Sequence, residues 1–300
     1  MDSSKDTPRP AWWLRALGRV PLPLLYALAT FSAVLMRDIF RYRVRVARDN
    51  LRRALPELDE VERRRILRRH YQVFAEVLFE LPRVATMAPD ELEARVAIAG
   101  LAQVREECVR GQPTLLLIGH QCNWEWQLQA TALGVGVPFL AAYKPPHSAR
   151  ADRLMLGLRG RFGVRMVPGK RLLREVVRWR GRPHAVGMVA DQMPTTSPGR
   201  VWLKFFGRDT AFFPGPGEIA RAAGYGAWFM PLRRVRRGYY ESGFVPLAGA
   251  GERLEVAEFT ARYAAQLEAM IRQSPEDWAW THRRWKLQPP TSPAEDVAKS

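Results

Sequence analysis

The sequence predicts an α/β fold: a central, mostly parallel sheet flanked by helices, with an N-terminal membrane-associated helix. Three observations lead there. From residue 114 onward, short apolar runs of strand length alternate with segments of helical period, as strand and helix units of one parallel sheet do. Residues 20–36 carry no charge over 17 positions, at the short limit for a bilayer span, which takes about 20 residues. The composition, 47% hydrophobic and 26% charged over 300 residues, is that of a globular chain long enough to bury a substantial core.

Residues 1–19 read as an N-terminal tail, polar and loose over the first ten. In the apolar run 20–36, Trp12, Trp13 and Tyr26 supply candidate interfacial anchors. Arg15 and Arg19 precede the run, and Arg37, Arg41, Arg43, Arg45 and Arg48 follow it, so basic flanks leave the orientation open. Ala27-Leu28-Ala29 resembles a signal cleavage site but falls inside the run, which argues against a cleaved signal. A span, a monotopic helix in the interface and a buried core helix remain as readings. Residues 37–290 form one folded domain, and 291–300 a closing tail.

Within that domain, 37–70 holds 12 arginines against 6 acids. A helix starts at Asp59, with Glu62 three residues on as in a capping box. Leu67, Tyr71, Phe74, Leu78 and Leu81 recur at spacings of 3 and 4, which predicts one buried face, and Pro82 fits the helix end. Then come a buried strand at 114–119 (TLLLIG), a helix at 124–133, a strand at 138–143 and a helix at 151–162. Residues 170–180 form a basic amphipathic helix, and 184–190 (HAVGMVA) another buried strand. A Pro/Thr/Ser loop leads to an extended segment at 201–206 and a helix opening at 218–223. Residues 227–232 and 238–246 read as a pair of strands. Val256, Phe259, Tyr263, Leu267, Met270 and Ile271 mark a closing amphipathic helix. The chain has no internal repeat.

Lys plus Arg number 47 against 30 acids, a net charge of +17 that favours an anionic partner. Ten tryptophans add an interfacial preference. Nucleic acid is disfavoured, because the arginines are spread along the chain and no DNA- or RNA-binding motif is present. The two cysteines, Cys108 and Cys122, are too few for a disulfide framework and point to a reducing compartment.

The segment 115–129, LLLIGHQCNWEWQLQ, carries the chemistry. His120 follows a buried strand, where side chains of α/β proteins project into the ligand crevice. Glu125 opens the next helix. A tight strand-to-helix turn would bring the two within hydrogen-bond reach, His120 as general base and Glu125 as its orienter. A buried structural histidine beside a helix-terminal acid is the alternative. Asp191 and Gln192 follow another buried strand and would line the same crevice, or merely form a turn. His70 sits beside Arg68 and Arg69 and is expected on the surface; His147 and His184 receive no role. Tyr143 and Lys144 follow a strand and are weak candidates for acceptor contacts. His120 and Cys122 are two apart, but nothing completes a metal site, and no phosphate loop is present, so no metal or cofactor is expected.

These residues resemble the bacterial late lipid A acyltransferases (lauroyl and myristoyl transferases), within the wider H-x-x-x-x-(D/E) lysophospholipid acyltransferase superfamily. His120 to Glu125 matches that motif, and Asn123-Trp124-Glu125 its frequent N-W-E form. The segment 48–56 (RDNLRRALP) resembles the family's NL…FP stretch, with Leu55 where Phe is common; 158–163 (LRGRFG) resembles R-x-R-x-G. Asp191-Gln192 resembles its D-Q turn, and Phe205-Phe206-Gly207 with Thr210-Ala211-Phe212 its FFG…A segment. Trp280-Thr281-His282-Arg283-Arg284-Trp285-Lys286 matches its W-x-H-x-R-W-K ending. The ordered set covers nearly the whole chain.

The resemblance implies a glycerolipid acyltransferase-like fold and acyl transfer at the cytoplasmic face of the bacterial inner membrane. It implies an acyl thioester donor, acyl carrier protein ahead of acyl-CoA, a lipid A precursor or related glycolipid as acceptor, and contact with the anionic membrane surface. His120 and Glu125 would be catalytic. Arg159, Asn123, Asp191 and Gln192 would bind substrate, Arg159 as a charge near the reacting centre. His282, between Trp280 and Trp285, fits packing as readily as catalysis. The same scaffold serves aminolipid or lysophospholipid acylation, and a basic membrane scaffold without activity is the non-enzymatic alternative.

Overall fold

A computed structural model describes residues 8, 10–194 and 199–289. The loose polar start of the N-terminal tail, the tail 291–300 and residues 195–198 of the Pro/Thr/Ser loop lie outside the described residues. The helices are α1 (Trp12–Gly18), α2 (Leu22–Val34), α3 (Val44–Ala54), α4 (Glu60–Glu80), α5 (Pro89–Arg95), α6 (Leu101–Val109), α7 (Trp124–Gly134), α8 (Ala149–Arg159), α9 (Leu172–Arg178), α10 (Gly215–Ala223) and α11 (Val256–Gln273). The strands are β1 (Val96–Ile98), β2 (Thr114–Ile118), β3 (Phe139–Tyr143), β4 (Val164–Pro168), β5 (Ala185–Val189), β6 (Val201–Phe205), β7 (Arg208–Phe212), β8 (Gly226–Phe229), β9 (Leu232–Arg236), β10 (Tyr239–Ser242) and β11 (Val245–Ala248).

The central sheet has six strands in the order β11-β8-β2-β5-β3-β4. All neighbours are parallel except β11, which runs antiparallel to β8 at one edge. Side chains alternate between its faces. Leu115 and Leu117 of β2 join a core with Val186, Phe259, Tyr263 and Leu267. Leu116 and Ile118 join a second core with Leu128, Phe139 and Ala185. The result is a three-layer α/β/α arrangement. The pair of strands expected over 227–246 is four: β8 pairs with β11, while β9 and β10 form a hairpin joined by β1 in a separate sheet. The extended segment at 201 is half of a β6–β7 hairpin.

Asp59 caps α4 as its sequence indicates, its carboxylate accepting from the Glu62 N–H at 2.8 Å. The face read off the spacing is buried at Leu67 and Tyr71, but only half-buried or exposed from Phe74 on. Ile66, Leu67, His70, Tyr71, Val73, Ala75, Glu76 and Glu80 are buried, whereas Leu78 is 44% exposed. Phe74, Leu78 and Leu81 line an open cleft instead. His70, expected on the surface, is buried, because it lies about 100° round the helix from exposed Arg69 and about 200° from exposed Arg68.

Past the loose polar start of the N-terminal tail, α1 is helical and buries Leu14 and Gly18. α2 packs on α4 through Leu25, Tyr26, Ala29 and Ala33. Its other face, with Leu24, Leu28, Phe31 and Val34, is exposed. The segment Leu22–Ile39 is long and apolar enough to cross a membrane, and 22% of it is buried.

Candidate active site

The register of two central strands builds the site. β2 and β5 are parallel with Ile118 opposite Val189, and neighbouring strands lie about 4.8 Å apart. Two residues beyond each end, His120 and Asp191 therefore leave adjacent carboxyl ends side by side. His120 Nδ1 lies 2.6 Å from Asp191 Oδ1, and the His120 N–H donates to Asp191 Oδ2 at 2.9 Å. Trp278 Nε1 donates to the same Oδ2 at 2.8 Å. Gly119 makes room for this, since a Cβ there would sit 2.8 Å from Leu267 Cδ1 of α11.

Asp191 is 2% exposed. Burial pushes its carboxyl up, but the His120 charge and the hydrogen bonds from His120 and Trp278 outweigh that and hold it at about 2. An ionised carboxylate on Nδ1 fixes the tautomer with Nδ1–H donating, so Nε2 presents a lone pair. The Gln192 amide, 3.2 Å from Nε2, donates to it.

The hydrogen bond expected between His120 and Glu125 is not made; Asp191 takes that place. The intervening turn passes through Cys122 in the left-handed region, φ 42°, pinned by its N–H donating to the Asp277 carbonyl at 2.9 Å. Glu125 then faces Arg159 at the end of α8, in a two-point pair of 2.9 and 2.5 Å. The Arg159 guanidinium lies 5.3 Å from the Trp124 ring centroid, and Trp124 packs edge-on against His120 at 4.9 Å. Glu125 thus reaches His120 through Arg159 and Trp124.

Asn123, expected to touch substrate, is fully buried. Its Oδ1 accepts from the Trp126 N–H at 3.0 Å, capping α7, and its Nδ2 donates to Glu80 at 2.7 Å. Both functional groups are occupied, so it is an architectural residue. Glu80, which no sequence signal singled out, also accepts from Tyr26 of α2 and Tyr240 of β10 at 2.8 and 2.7 Å. It ties the apolar helix to the turn that follows His120.

The C-terminal signature packs behind the pair. Gln121 and Trp278 form an isolated bridge, the Ala279 N–H donates to the His120 carbonyl at 3.1 Å, and Arg284 is buried against Phe212. His282 lies beside the site, its pKa lowered to about 4, chiefly by burial. His184 bonds Tyr225 at 2.6 Å inside the fold, and His147 is exposed.

Two clefts meet at His120. One, of about 430 Å³, lies over the strand ends and is walled by Leu128, Met166, Leu172, Met188 and Ile219, with Tyr143, Lys144 and Arg159 at its polar parts. The other, of about 310 Å³, runs between the Phe74–Leu78–Leu81 wall and the segment holding Asp277 and His282, and includes Arg43 and Glu125. His120, Trp124 and Gln192 belong to both. Of the six residues singled out for the site, five gather here and Asn123 lies beneath them. Among the described residues, no group of three or more His, Cys, Asp or Glu could hold a metal ion. An oriented imidazole whose Nε2 meets only the Gln192 amide at the junction of an apolar and a mixed cleft can, once that amide gives way, take a proton from a hydroxyl in one and aid its attack on a carbonyl in the other.

Residues 11–287 match the model of a family described as bacterial lipid A biosynthesis acyltransferase. The lipid A biosynthesis lauroyltransferase of Escherichia coli K12 is 26% identical, with 95% of each chain covered. The palmitoleoyltransferase of lipid A biosynthesis from the same strain is 22% identical over the same shares. A lipid A biosynthesis acyltransferase of Haemophilus influenzae is 22% identical over 78% of this chain and 73% of its own.

Proposed function

Because this chain belongs to the bacterial lipid A biosynthesis acyltransferase family, we propose that it moves a fatty acyl chain from an acyl thioester, carried by acyl carrier protein, to a hydroxyl of a lipid A precursor. The family membership and its relatives make it an acyltransferase acting in lipid A biosynthesis. The donor, the chemistry of each residue and the place of action are the proposal.

The observation that carries it is the pairing of His120 with buried Asp191 where two clefts meet. His120 Nε2 takes the proton of the acceptor hydroxyl as the oxygen attacks the thioester carbonyl. Asp191 stabilises the imidazolium and keeps its orientation. The tetrahedral intermediate collapses, the C–S bond breaks, and the imidazolium returns the proton to the departing sulfur. The products are an acyl ester and a free carrier thiol. The apolar cleft over the strand ends suits the acyl chain, and the cleft toward α4 suits the acceptor. Glu125 and Arg159 act as positioning residues through Trp124, and Gln192 holds the Nε2 side until the hydroxyl arrives.

We place the reaction at the cytoplasmic face of the inner membrane. The exposed apolar face of α2, with Trp12, Ile39 and Phe40 also exposed, supports attachment there. Mass spectrometry of lipid A from a deletion strain tests the function. The expected result is lipid A lacking one acyl chain, restored by the wild-type gene and not by His120→Ala. Unchanged lipid A with an altered aminolipid or phospholipid would move the acceptor to that class.

A further inference from the structure

We propose that an arginine-lined cleft beyond the end of α2 binds phosphate groups of the lipid acceptor; this rests on the acyl-transfer reading and adds what the acceptor must carry. The cleft, about 880 Å³, lies between the turn after α2, the start of α3 and one side of α4. Seven arginines line it against a single carboxylate, Asp38. Two are already answered: Arg37 pairs with Asp38 and Arg64 with Glu60. Arg43 donates to the Thr281 carbonyl at 3.2 Å, a contact that neutralises no charge. Arg45, Arg48 and Arg68 have no carboxylate within ion-pair distance among the described residues.

Like charges gathered in a concave site repel one another unless an anion occupies it. The chain adopts unusual backbone to gather them. A π-helical turn, Leu35–Ile39, closes α2, and Arg41 and Arg43 follow with φ of 48° and 52°. Residues other than glycine seldom take such values, and they persist where the surrounding structure imposes them. The guanidinium suits phosphate, binding two oxygens at once. A phosphate monoester brings nearly two charges where a carboxylate brings one, which matches a cluster of several unanswered cations.

Position selects the acceptor as the source. Arg43 lines both this cleft and the cleft that contains His120, so the two adjoin and one extended lipid can place an anion here and a hydroxyl toward Nε2. The cleft also follows directly on the exposed apolar face of α2, where the chains of a lipid can lie while its polar end enters.

The test uses full-length protein in phosphatidylcholine nanodiscs, a phosphorylated lipid A precursor, and the same lipid after phosphatase treatment. Acyl transfer and direct equilibrium binding of each lipid are measured for wild type and for Arg45→Gln/Arg48→Gln/Arg68→Gln. The expected result is a KM for the phosphorylated acceptor raised on the order of tenfold or more, with matching loss of binding. kcat and the donor KM stay within about twofold, and the dephosphorylated acceptor binds weakly to both proteins. The exposed substitutions remove repulsion, so the thermal midpoint should not fall. An unchanged acceptor KM overturns the proposal. So does a loss confined to binding of phosphatidylserine vesicles, which assigns the cleft to bilayer phosphate, or a rise in donor KM alone, which assigns it to the carrier. If wild type transfers nothing yet binds the phosphorylated lipid through these arginines, the acyl-transfer reading fails and the cleft stands.

Discussion

His120 is held by two partners far from it in sequence, Asp191 on its ring and Trp278 behind that carboxylate, and by Trp124, four residues on, packed edge-on against it. The histidine itself was legible from its place after a buried strand. Its partner was not, because Asp191 arrives through the β2–β5 register, set by pairing across 71 residues. Local spacing pointed to Glu125, and only the left-handed Cys122 turn and the competing pull of Arg159 divert it. His70 shows the same limit from the other side, since charged neighbours concealed a buried residue. Burial lowers its pKa to about 4 against hydrogen bonds to the Glu276 and Trp278 backbone that raise it. The unfolded chain, with a pKa near 6.5, then takes up the proton first as pH falls. Stability contributed by neutral His70 is complete above about 6.5 and lost progressively toward 4. His282 acts in the same sense, while Asp277, raised to about 6 by burial, acts oppositely below that pH. Thermal unfolding in detergent should therefore show His70→Gln losing about 2 kcal/mol less than wild type between pH 7 and 5. Equal losses would mean that His70 does not titrate this way.

At the scale of elements, α4, α7 and α11 were legible because each has a cap or a clear apolar period. β2, β3 and β5 were legible as short apolar runs between turn residues. β4 (VRMVP) and β9 (LRRVR) were not: arginines sit on their exposed positions, and no local signal separates them from loops. The basic segment after residue 170 is shorter than its spacing suggests, a turn over Gly169–Arg171 followed by α9. Leu172 and Leu173 of α9 line the apolar cleft, while Arg171, Arg174 and Arg178 are exposed. If that cleft takes the acyl chain as proposed, a basic face on the same helix suits an acidic carrier, and exposed charges mainly alter association rate and salt dependence. Arg174→Glu/Arg178→Glu should raise KM for an acyl carrier donor, leaving kcat at saturation and membrane attachment nearly unchanged. A donor KM unaffected across a range of salt would place docking elsewhere.

Over the whole molecule, one line of contacts joins the apolar helix to the chemistry. Tyr26 of α2 and Asn123 of the turn after His120 meet on Glu80, buried in α4. The packing of α2 against α4 therefore supports the turn that follows His120. The charge-free run was visible in sequence, but its two faces were not, because apolar residues lie on both and only the partner α4 decides which is covered. Salt screens exposed charge within about 10 Å at 0.1 M and leaves apolar burial intact. The protein should thus stay in the membrane fraction after a high-salt wash and leave it in detergent; release by salt alone would show that the α2 face is not inserted. The central claim, acyl transfer by His120 oriented by Asp191, is tested most directly by turnover of Asp191→Asn beside His120→Ala. Transfer from an acyl thioester to a lipid A precursor is followed by mass spectrometry, with folding checked by thermal unfolding. Both variants should remain folded with kcat lowered roughly 100-fold or more. Near-wild-type turnover in Asp191→Asn would contradict the pairing, and near-wild-type turnover in His120→Ala would contradict the mechanism.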